Sequence, residues 1–401
     1  MEKIRKIVLA YSGGVDTSVI LSWLKEKYQA EIITYTADLG QGKSLNLIEE
    51  KARKTGASKV YLEDLREEFC EKYVLPALRA GALYENKYPL ATALGRPLIA
   101  KRLVEIAEKE KAQAIAHGCS GKGNDQVRLE ITARVFNPEI KILAPLREWE
   151  LTSREEEIKY AENHSISLPV TEESPYSIDR NLWGVSIECG LLEDPFQEPP
   201  PDSYQITTPP DKAPDKPTYL EIEFQAGVPG KLNGKNYRPT LLIEELNRLG
   251  GENGVGRIDL LENRLVGIKS REIYEAPAAV ILHQAHQELE RLTLDKETFR
   301  FKQITSLRYS ELVYDGLWYS PLRRALDAFT SSVQKMVTGK VRVKLYKGSC
   351  EVVGRKSPYS LYDISLATYG EKDAFDRKSS AGFIDIWGLP VITAARRENR
   401  Q

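Results

Sequence analysis

Short runs of strand length alternate with helical periods through the first 145 or so residues, and this alternation constrains the fold more than any other feature of the chain. Residues 7–11, 31–37, 59–62, 113–116 and 141–144 are short and apolar or alternating. Between them, residues 17–27 place Val19, Ile20, Trp23 and Leu24 on one helix face. Residues 45–55 read as a helix closed by Gly56, residues 98–111 as a helix with Pro97 near its first turn, and residues 125–136 as another. Strands separated by helices need crossover connections. The pattern predicts an α/β fold, a doubly wound parallel sheet covered by helices on both faces.

The pattern then changes. Thr152 and Glu155 have capping-box spacing and predict a helix to about Asn163. Residues 195–217 are proline-rich with almost no apolar periodicity, which predicts a long surface connection. Beyond it the signals are α+β. Residues 219–225 alternate like a strand, 241–249 form a helix closed by Gly250, and 277–292 form another. Ser320 and Pro321 open a helix that ends before Gly339. Val341, Val343 and Leu345 alternate into a turn at Lys347 and Gly348, predicting a hairpin. A chain of 401 residues suggests two or three domains. We divide it into an α/β domain, 1–165, an α+β domain, 166–370, and a C-terminal segment, 371–401.

Composition narrows the function classes. Lys plus Arg is 57 and Asp plus Glu is 58, a balance that argues against a chain built mainly to bind nucleic acid or an anionic membrane. Cys70, Cys119, Cys189 and Cys350 are far apart and form no CxxC pair, so neither a disulfide framework nor a Cys-rich zinc site is expected. His283 and His286 lie one helical turn apart and could share a metal, but no third ligand is in view. No apolar stretch is long enough to span a bilayer, and the one at the N-terminus is too short for a signal peptide core, so a cytoplasmic protein is expected.

Two glycine-containing strings carry the chemistry. Ala10-Tyr11-Ser12-Gly13-Gly14-Val15-Asp16-Thr17-Ser18 joins the first strand to the first helix. Glycines let backbone N–H groups close on an anion, and the helix N-terminus points its positive end there. Asp16 would repel a phosphate, but fits if Mg²⁺ sits between carboxylate and phosphate. The bland alternative is an ordinary strand-to-helix turn with Asp16 as a cap. The complete string resembles the loop of enzymes that cleave ATP between the α and β phosphates. Nearby Gly42-Lys43-Ser44 is no Walker loop, because the required first glycine is Ala37. The second string, His117-Gly118-Cys119-Ser120-Gly121-Lys122-Gly123-Asn124-Asp125-Gln126-Val127-Arg128, follows the fourth strand and enters a helix. Lys122 offers a mobile cation, and Asn124 and Arg128 share a helix face. The bland alternative here is a capped helix with a solvated charge pair. First and fourth strands of a doubly wound sheet usually lie side by side at the switch point, so both loops should face one crevice.

In this order and spacing the strings resemble the argininosuccinate synthase family. The likeness continues through Ala82-Leu83-Tyr84-Glu85, Lys87-Tyr88-Pro89-Leu90, Ser174-Pro175-Tyr176-Ser177-Ile178-Asp179, Asn181-Leu182-Trp183-Gly184, Gly256-Arg257-Ile258-Asp259, Glu262-Asn263-Arg264, Lys269-Ser270-Arg271 and Tyr274-Glu275, covering nearly the whole chain. The resemblance implies an AMP-forming ligase that joins citrulline to aspartate through a citrullyl-adenylate, with Mg²⁺ and ATP, as a homotetramer using small molecules and neither nucleic acid nor membrane. It implies that Ala10, Tyr11, Ser12, Gly13, Gly14, Val15, Asp16, Thr17, Ser18, Ala37 and Gly118 hold ATP. Ser120, Asn124 and Asp125 would hold aspartate. Tyr88, Asn124, Arg128, Ser177, Ser186, Glu262 and Tyr274 would hold citrulline, while Ser12, Asp16 and Lys122 would act in catalysis. Family members often carry Thr at the position of Ser120, and commonly Thr-Pro-Gly-Gly where this chain has Ala276-Pro277-Ala278-Ala279.

Three rivals remain at this level. A tRNA-modifying enzyme of the same loop class would bring paired cysteines and a basic module, and neither is visible. A glutamine-dependent amidotransferase would need an ammonia-generating domain, usually with a cysteine near its start, and residues 1–12 contain none. A non-catalytic nucleotide sensor would have no use for Asp16 and Lys122.

Overall fold

A computed structural model describes residues 3–42, 45–151, 154–164, 166 and 176–398. Lys43 and Ser44, Thr152 of the expected capping box, and Ser174-Pro175 lie outside the described residues, as does the side chain of Glu155. The chain forms two compact units, Met1–Tyr359 and Ser360–Gln401.

In the larger unit, β1 (Lys6–Ala10), β2 (Glu31–Asp38), β3 (Lys59–Asp64), β4 (Ala114–Ala116) and β5 (Lys141–Leu143) form a parallel sheet in the order β3-β2-β1-β4-β5. Ile7, Val8 and Leu9 of β1 are all fully buried, with Val8 in one apolar cluster and Ile7 and Leu9 in another. Successive side chains of a strand point to opposite faces, so both faces of the sheet are covered.

Helices depart from expectation in three places. The helix expected from residue 98 spans Ala91–Glu110 and runs through Pro97. Proline removes one helical hydrogen bond, but the buried Ala91, Ala93, Leu94, Leu98 and Leu103 hold the turns on either side in place. A helical run unread in the sequence comprises Arg66–Phe69, a π turn at Cys70–Val74, and Leu75–Ala80. The helix Lys296–Tyr314 was also unread. Its buried positions include Lys302, Tyr309, Ser310 and Tyr314, so it has no clean apolar stripe. Asp295, which accepts from the N–H groups of Glu297 and Thr298 at 3.0 Å each, is a cap signal that could have found it.

The second half is built on antiparallel sheets. β6 (Ser177–Asn181), β7 (Gly184–Glu188), β8 (Thr218–Gln225), β9 (Val228–Leu232), β10 (Lys235–Asn236), β11 (Arg257–Asn263), β12 (Lys269–Glu275), β13 (Gly339–Tyr346) and β14 (Ser349–Lys356) make two of them. Their orders are β11-β12-β7-β6 and β10-β9-β8-β13-β14. The expected hairpin is β13–β14, and Ser320 caps the helix Pro321–Val333 through its side chain. The proline-rich connection holds only short turns, at Pro201–Ser203 and Pro210–Lys212. It is nevertheless pinned. The buried Glu275 carboxylate accepts from the N–H groups of Gln205 (2.6 Å), Ile206 (3.0 Å) and Thr207 (2.8 Å) and from the Thr207 hydroxyl (2.6 Å).

Candidate active site

β1 and β4 are hydrogen-bonded neighbours, so the two glycine loops leave the same edge of the sheet side by side. A β carbon on Gly118 would sit 3.0 Å from Ile20 Cδ1 and 3.4 Å from Thr17 Cγ2, so the second loop lies in tight contact with the first helix, α1 (Val15–Tyr28), and a larger residue would require those side chains to shift. In the first loop Gly13 has a φ of +74°, and Gly14 caps α1 without any side-chain cap. Asp16 is therefore not the cap of the bland alternative. Ser18 donates to the Gly14 carbonyl at 2.7 Å and lies 3.0 Å from the Tyr11 hydroxyl, while Ser12 Oγ lies 3.2 Å from Thr17 Oγ1. Lys51 Nζ donates to the Gly13 carbonyl at 2.8 Å. The loop's hydroxyls thus surround a helix N-terminus, whose first N–H groups have no acceptor within the helix, and Gly14 N–H there donates to Ser12 Oγ at 3.2 Å. Ala10 closes β1, and Ala37 lies near the end of the adjacent β2.

The second loop is fixed from behind. Cys119 N–H donates to His117 Nδ1 (3.3 Å), which leaves Nε2 to donate to Glu130 (3.2 Å). Gln126 donates to the carbonyls of Gly121 and Gly123. Ser120 and Lys122 are exposed, and Lys122 makes no ion pair among the described residues.

The loop's far end meets the second half of the chain. Asn124 Nδ2 donates to the Tyr314 hydroxyl (2.8 Å), and its Oδ1 accepts from the Leu265 N–H (2.9 Å). Arg128 Nε donates to the Tyr314 carbonyl (2.9 Å) and Nη1 to Asp125 (2.9 Å). Its Nη2 is buried and finds no partner among the described residues. The Tyr274 and Tyr314 hydroxyls donate to the two oxygens of the buried Glu262 carboxylate, at 2.6 and 2.5 Å. Tyr88 stacks on Tyr274 with centroids 4.0 Å apart, and Tyr84 on Tyr314 at 3.6 Å. Ser186 lies opposite Tyr274 in the sheet and 3.0 Å from the Thr92 hydroxyl. Of the residues expected to share this place, Tyr88, Asn124, Arg128, Ser186, Glu262 and Tyr274 are brought together. Ser177 stands apart, exposed on β6 and cross-strand from Glu188.

Charges alternate through the site. Arg96 bridges Asp125 (2.8 Å) and Asp179. Burial opposes ionisation of Asp125, but Arg96 and Arg128 outweigh it and hold this carboxyl below the usual range. Asp179, half-buried, is raised by loss of solvation despite Arg96. Burial raises Glu262 despite the two tyrosine donors. Burial, then Glu188 and Glu262, push Glu272 up to about 8, against Arg264 at 2.6 Å. Arg264 is shared by the Glu188 and Glu272 carboxyls, while Glu262 beside them has only tyrosine donors, so this end of the site suits a cation. The unpartnered Arg128 Nη2 suits a carboxylate. Sequence reasoning missed Tyr84, Thr92, Arg96, Asp179, Arg264, Glu272 and Tyr314 as site residues, although Tyr84, Asp179 and Arg264 fall within the strings it singled out. Tyr314 carried no local signal, since its partners Glu262 and Asn124 lie 52 and 190 residues away.

Two family models match the chain, an arginosuccinate synthase N-terminal HUP domain over residues 6–167 and an arginosuccinate synthase C-terminal domain over residues 176–394. The chain is 59% identical to the argininosuccinate synthase of Chlorobium phaeobacteroides over 388 residues, 97% of each protein. It is 58% identical to that of Carboxydothermus hydrogenoformans over 390 residues, again 97% of each, and 58% identical to that of Caldanaerobacter subterraneus over 398 residues, 99% of this chain and 97% of the relative.

The raised Glu272 pKa makes a prediction about stability. The folded state binds this proton more tightly than the unfolded chain, so its contribution is full below the ordinary value of 4.5 and is lost as pH rises from there to about 8. In Glu272→Gln that loss is removed. The melting temperature of the variant relative to the parent should therefore rise between mildly acidic and mildly alkaline pH, measured by calorimetry without substrates. A flat or falling difference would contradict the assignment.

Proposed function

The chain belongs to the argininosuccinate synthase family, and from that membership we infer how its own residues carry the reaction. It is an AMP-forming ligase of arginine biosynthesis that condenses L-citrulline with L-aspartate and consumes ATP. What carries our residue assignment is the junction of both glycine loops with the tyrosine–carboxylate cluster.

We assign Ala10, Tyr11, Ser12, Gly13, Gly14, Val15, Asp16, Thr17, Ser18, Ala37 and Gly118 to ATP. Ser120, Asn124 and Asp125 take aspartate. Tyr88, Asn124, Arg128, Ser186, Glu262 and Tyr274 take citrulline, its carboxylate on the spare Arg128 Nη2 and its ammonium toward Glu262; Ser177, exposed on the same sheet and outside that group, is assigned to citrulline from family membership alone. Residues 1–165 serve as the ATP domain, 166–370 as the synthetase domain and 371–401 in oligomerisation. The donor set fits Mg²⁺ arriving with ATP. A single carboxylate, Asp16, stands in the first turn of α1 without serving as its cap, and Mg²⁺ is commonly held by one or two carboxylates plus phosphates. When bound, the ion neutralises phosphate charge. The four free cysteines support a cytoplasmic enzyme.

Citrulline's ureido carbon is a poor electrophile, and its oxygen is a poor leaving group. The ureido oxygen first attacks the α phosphorus, forming an O–P bond as the bond to the β phosphate breaks, which yields citrullyl-adenylate and pyrophosphate. Ser12, Lys122 and the loop N–H groups stabilise charge on the phosphates. The deprotonated aspartate amine then attacks the ureido carbon, and AMP leaves with the former ureido oxygen. Citrulline labelled with heavy oxygen in the ureido group should pass the label to AMP, read by mass spectrometry. Label in pyrophosphate would overturn this order.

Asp16→Asn should lose most turnover, with the remainder rising as Mg²⁺ is added, while the far-ultraviolet dichroism stays unchanged. Near-normal turnover at ordinary Mg²⁺ would refute the role.

The homotetramer is supported by the helix Ser379–Glu398, which exposes Phe383, Ile384, Ile386, Trp387, Leu389 and Val391. Apolar surface of this extent marks an interaction site. Light scattering at micromolar concentration should give four times the chain mass of 45.3 kDa, and a monomer would sink the proposal.

A further inference from the structure

His283 and His286 share a helix face but not a fate. His286 Nε2 is 2.8 Å from Gln334 Oε1 and is satisfied. His283, only 9% exposed, makes no hydrogen bond among the described residues, and its ring meets Trp183 at 6.1 Å between centroids. Burial, then His286 and Lys302, push its pKa down to about 3, so the imidazole is neutral and offers one donor and one acceptor. Neither ring nitrogen is sealed from solvent, so the imidazole is open to a molecule in the space it lines.

The ring lines a cavity of about 350 Å³, within the range of small-molecule sites. Its walls come from the segment around Tyr88, from the start of β11 and from the helix Pro277–Thr293. Lys87 and Arg257 are at its edge. Lys87 donates to the Asp259 carbonyl at 3.3 Å and keeps two donors in hand. Arg257 stacks on Tyr204 and bonds Thr207 through Nε and Nη2. The Asp259 carboxylate is already held by Arg271 at 2.6 and 3.0 Å, so the balance of charge around the opening is positive. Leu83, Pro89 and Val280 supply apolar wall.

We propose that this cavity is an effector site for a small organic carboxylate, with the carboxylate at Lys87 and Arg257, hydrocarbon against Leu83, Pro89 and Val280, and a hydroxyl or amide on His283. It is separate from the catalytic crevice but shares a wall with it. Lys87 and Pro89 flank Tyr88, whose ring stacks on Tyr274, and Ile258 of the cavity pairs with Tyr274 in the sheet. A bound molecule that shifts this wall moves the stacked pair assigned to citrulline.

The probe is para-hydroxybenzoate, with para-hydroxybenzyl alcohol as the neutral control. The chain has four histidines, so a proton–carbon spectrum labelled at histidine Cε1 gives four signals, and the His283 signal is assigned by its loss in His283→Asn. In the full-length parent enzyme the acid should shift the His283 signal saturably at millimolar concentration, without displacement by citrulline. The alcohol and the Lys87→Gln variant should each weaken binding about tenfold. Lys87 is an exposed residue, so that variant tests the site even where His283→Asn fails to fold. Saturating acid should also change the rate at low citrulline by at least about threefold, within the usual range of coupling between sites. A His283 signal that does not move, binding indifferent to Lys87→Gln or to the missing carboxylate, displacement by citrulline, or binding with an unchanged rate would each overturn the proposal.

Discussion

The site depends on one buried carboxylate. Glu262 lies between two tyrosine hydroxyls, and each belongs to a different element: Tyr274 to β12, and Tyr314 to the end of the helix Lys296–Tyr314. Burying a carboxyl without partners costs several kcal/mol, so the two short donors are a condition of its being there. Tyr314 extends the tie to the first half of the chain. Its hydroxyl accepts from Asn124 and its carbonyl accepts from Arg128, while the guanidinium lies 4.8 Å from its ring centroid. One residue thus joins the glycine loop of the parallel sheet to the antiparallel one. Gly316 makes the approach possible. It has a φ of +77°, and a β carbon there would stand 2.9 Å from Arg128 Cα.

From this junction the charges fall into an order that leaves Arg128 incomplete. Arg96 is shared by Asp125 and Asp179, Asp125 is shared by Arg96 and Arg128, and Arg128 ends the series with Nη2 buried and without a partner among the described residues. Leaving such a donor unsatisfied costs about 1–3 kcal/mol. A ligand carboxylate would find the donor already desolvated. Little reorganisation would then remain for the moment of binding.

What could be read from sequence divides by distance along the chain. The phosphate loop was legible because strand, glycines, hydroxyls and helix start are consecutive, and the β1–β4 adjacency followed from strand–helix alternation alone. The hairpin β13–β14 and the helix Pro277–Thr293 were legible for the same reason, their signals being local. Pro97 misled because proline is a frequent helix start, and tertiary burial of the flanking turns outweighed its missing bond. Tyr314 and Thr92 were illegible. Each has an ordinary local setting, and its role comes from partners brought near by folding. Glu275 shows the same limit differently. It was singled out only as part of a matching string, yet it is the buried acceptor that fastens the proline-rich connection.

Backbone strain marks the place where tyrosines face the site. Glu85, Asn86 and Leu90 all have positive φ, at 49°, 62° and 67°, within a stretch that also carries Tyr84 and Tyr88. Each such residue costs on the order of 1 kcal/mol and persists only where its surroundings over-determine it. Here they do. Glu85 and Asn86 make a tight turn closed by the Tyr84–Tyr88 bridge, whose two backbone hydrogen bonds measure 2.8 and 3.0 Å. Leu90 is fully buried at the entry to the helix Ala91–Glu110, where the chain must reverse so that the Tyr88 hydroxyl can accept from the Thr92 N–H at 3.0 Å. The strain and the two aromatic stacks belong to one arrangement, held against the unfavourable dihedrals by burial of Tyr88, Tyr274 and Tyr314 beside the Glu262 carboxylate, with Tyr84 partly buried over Tyr314.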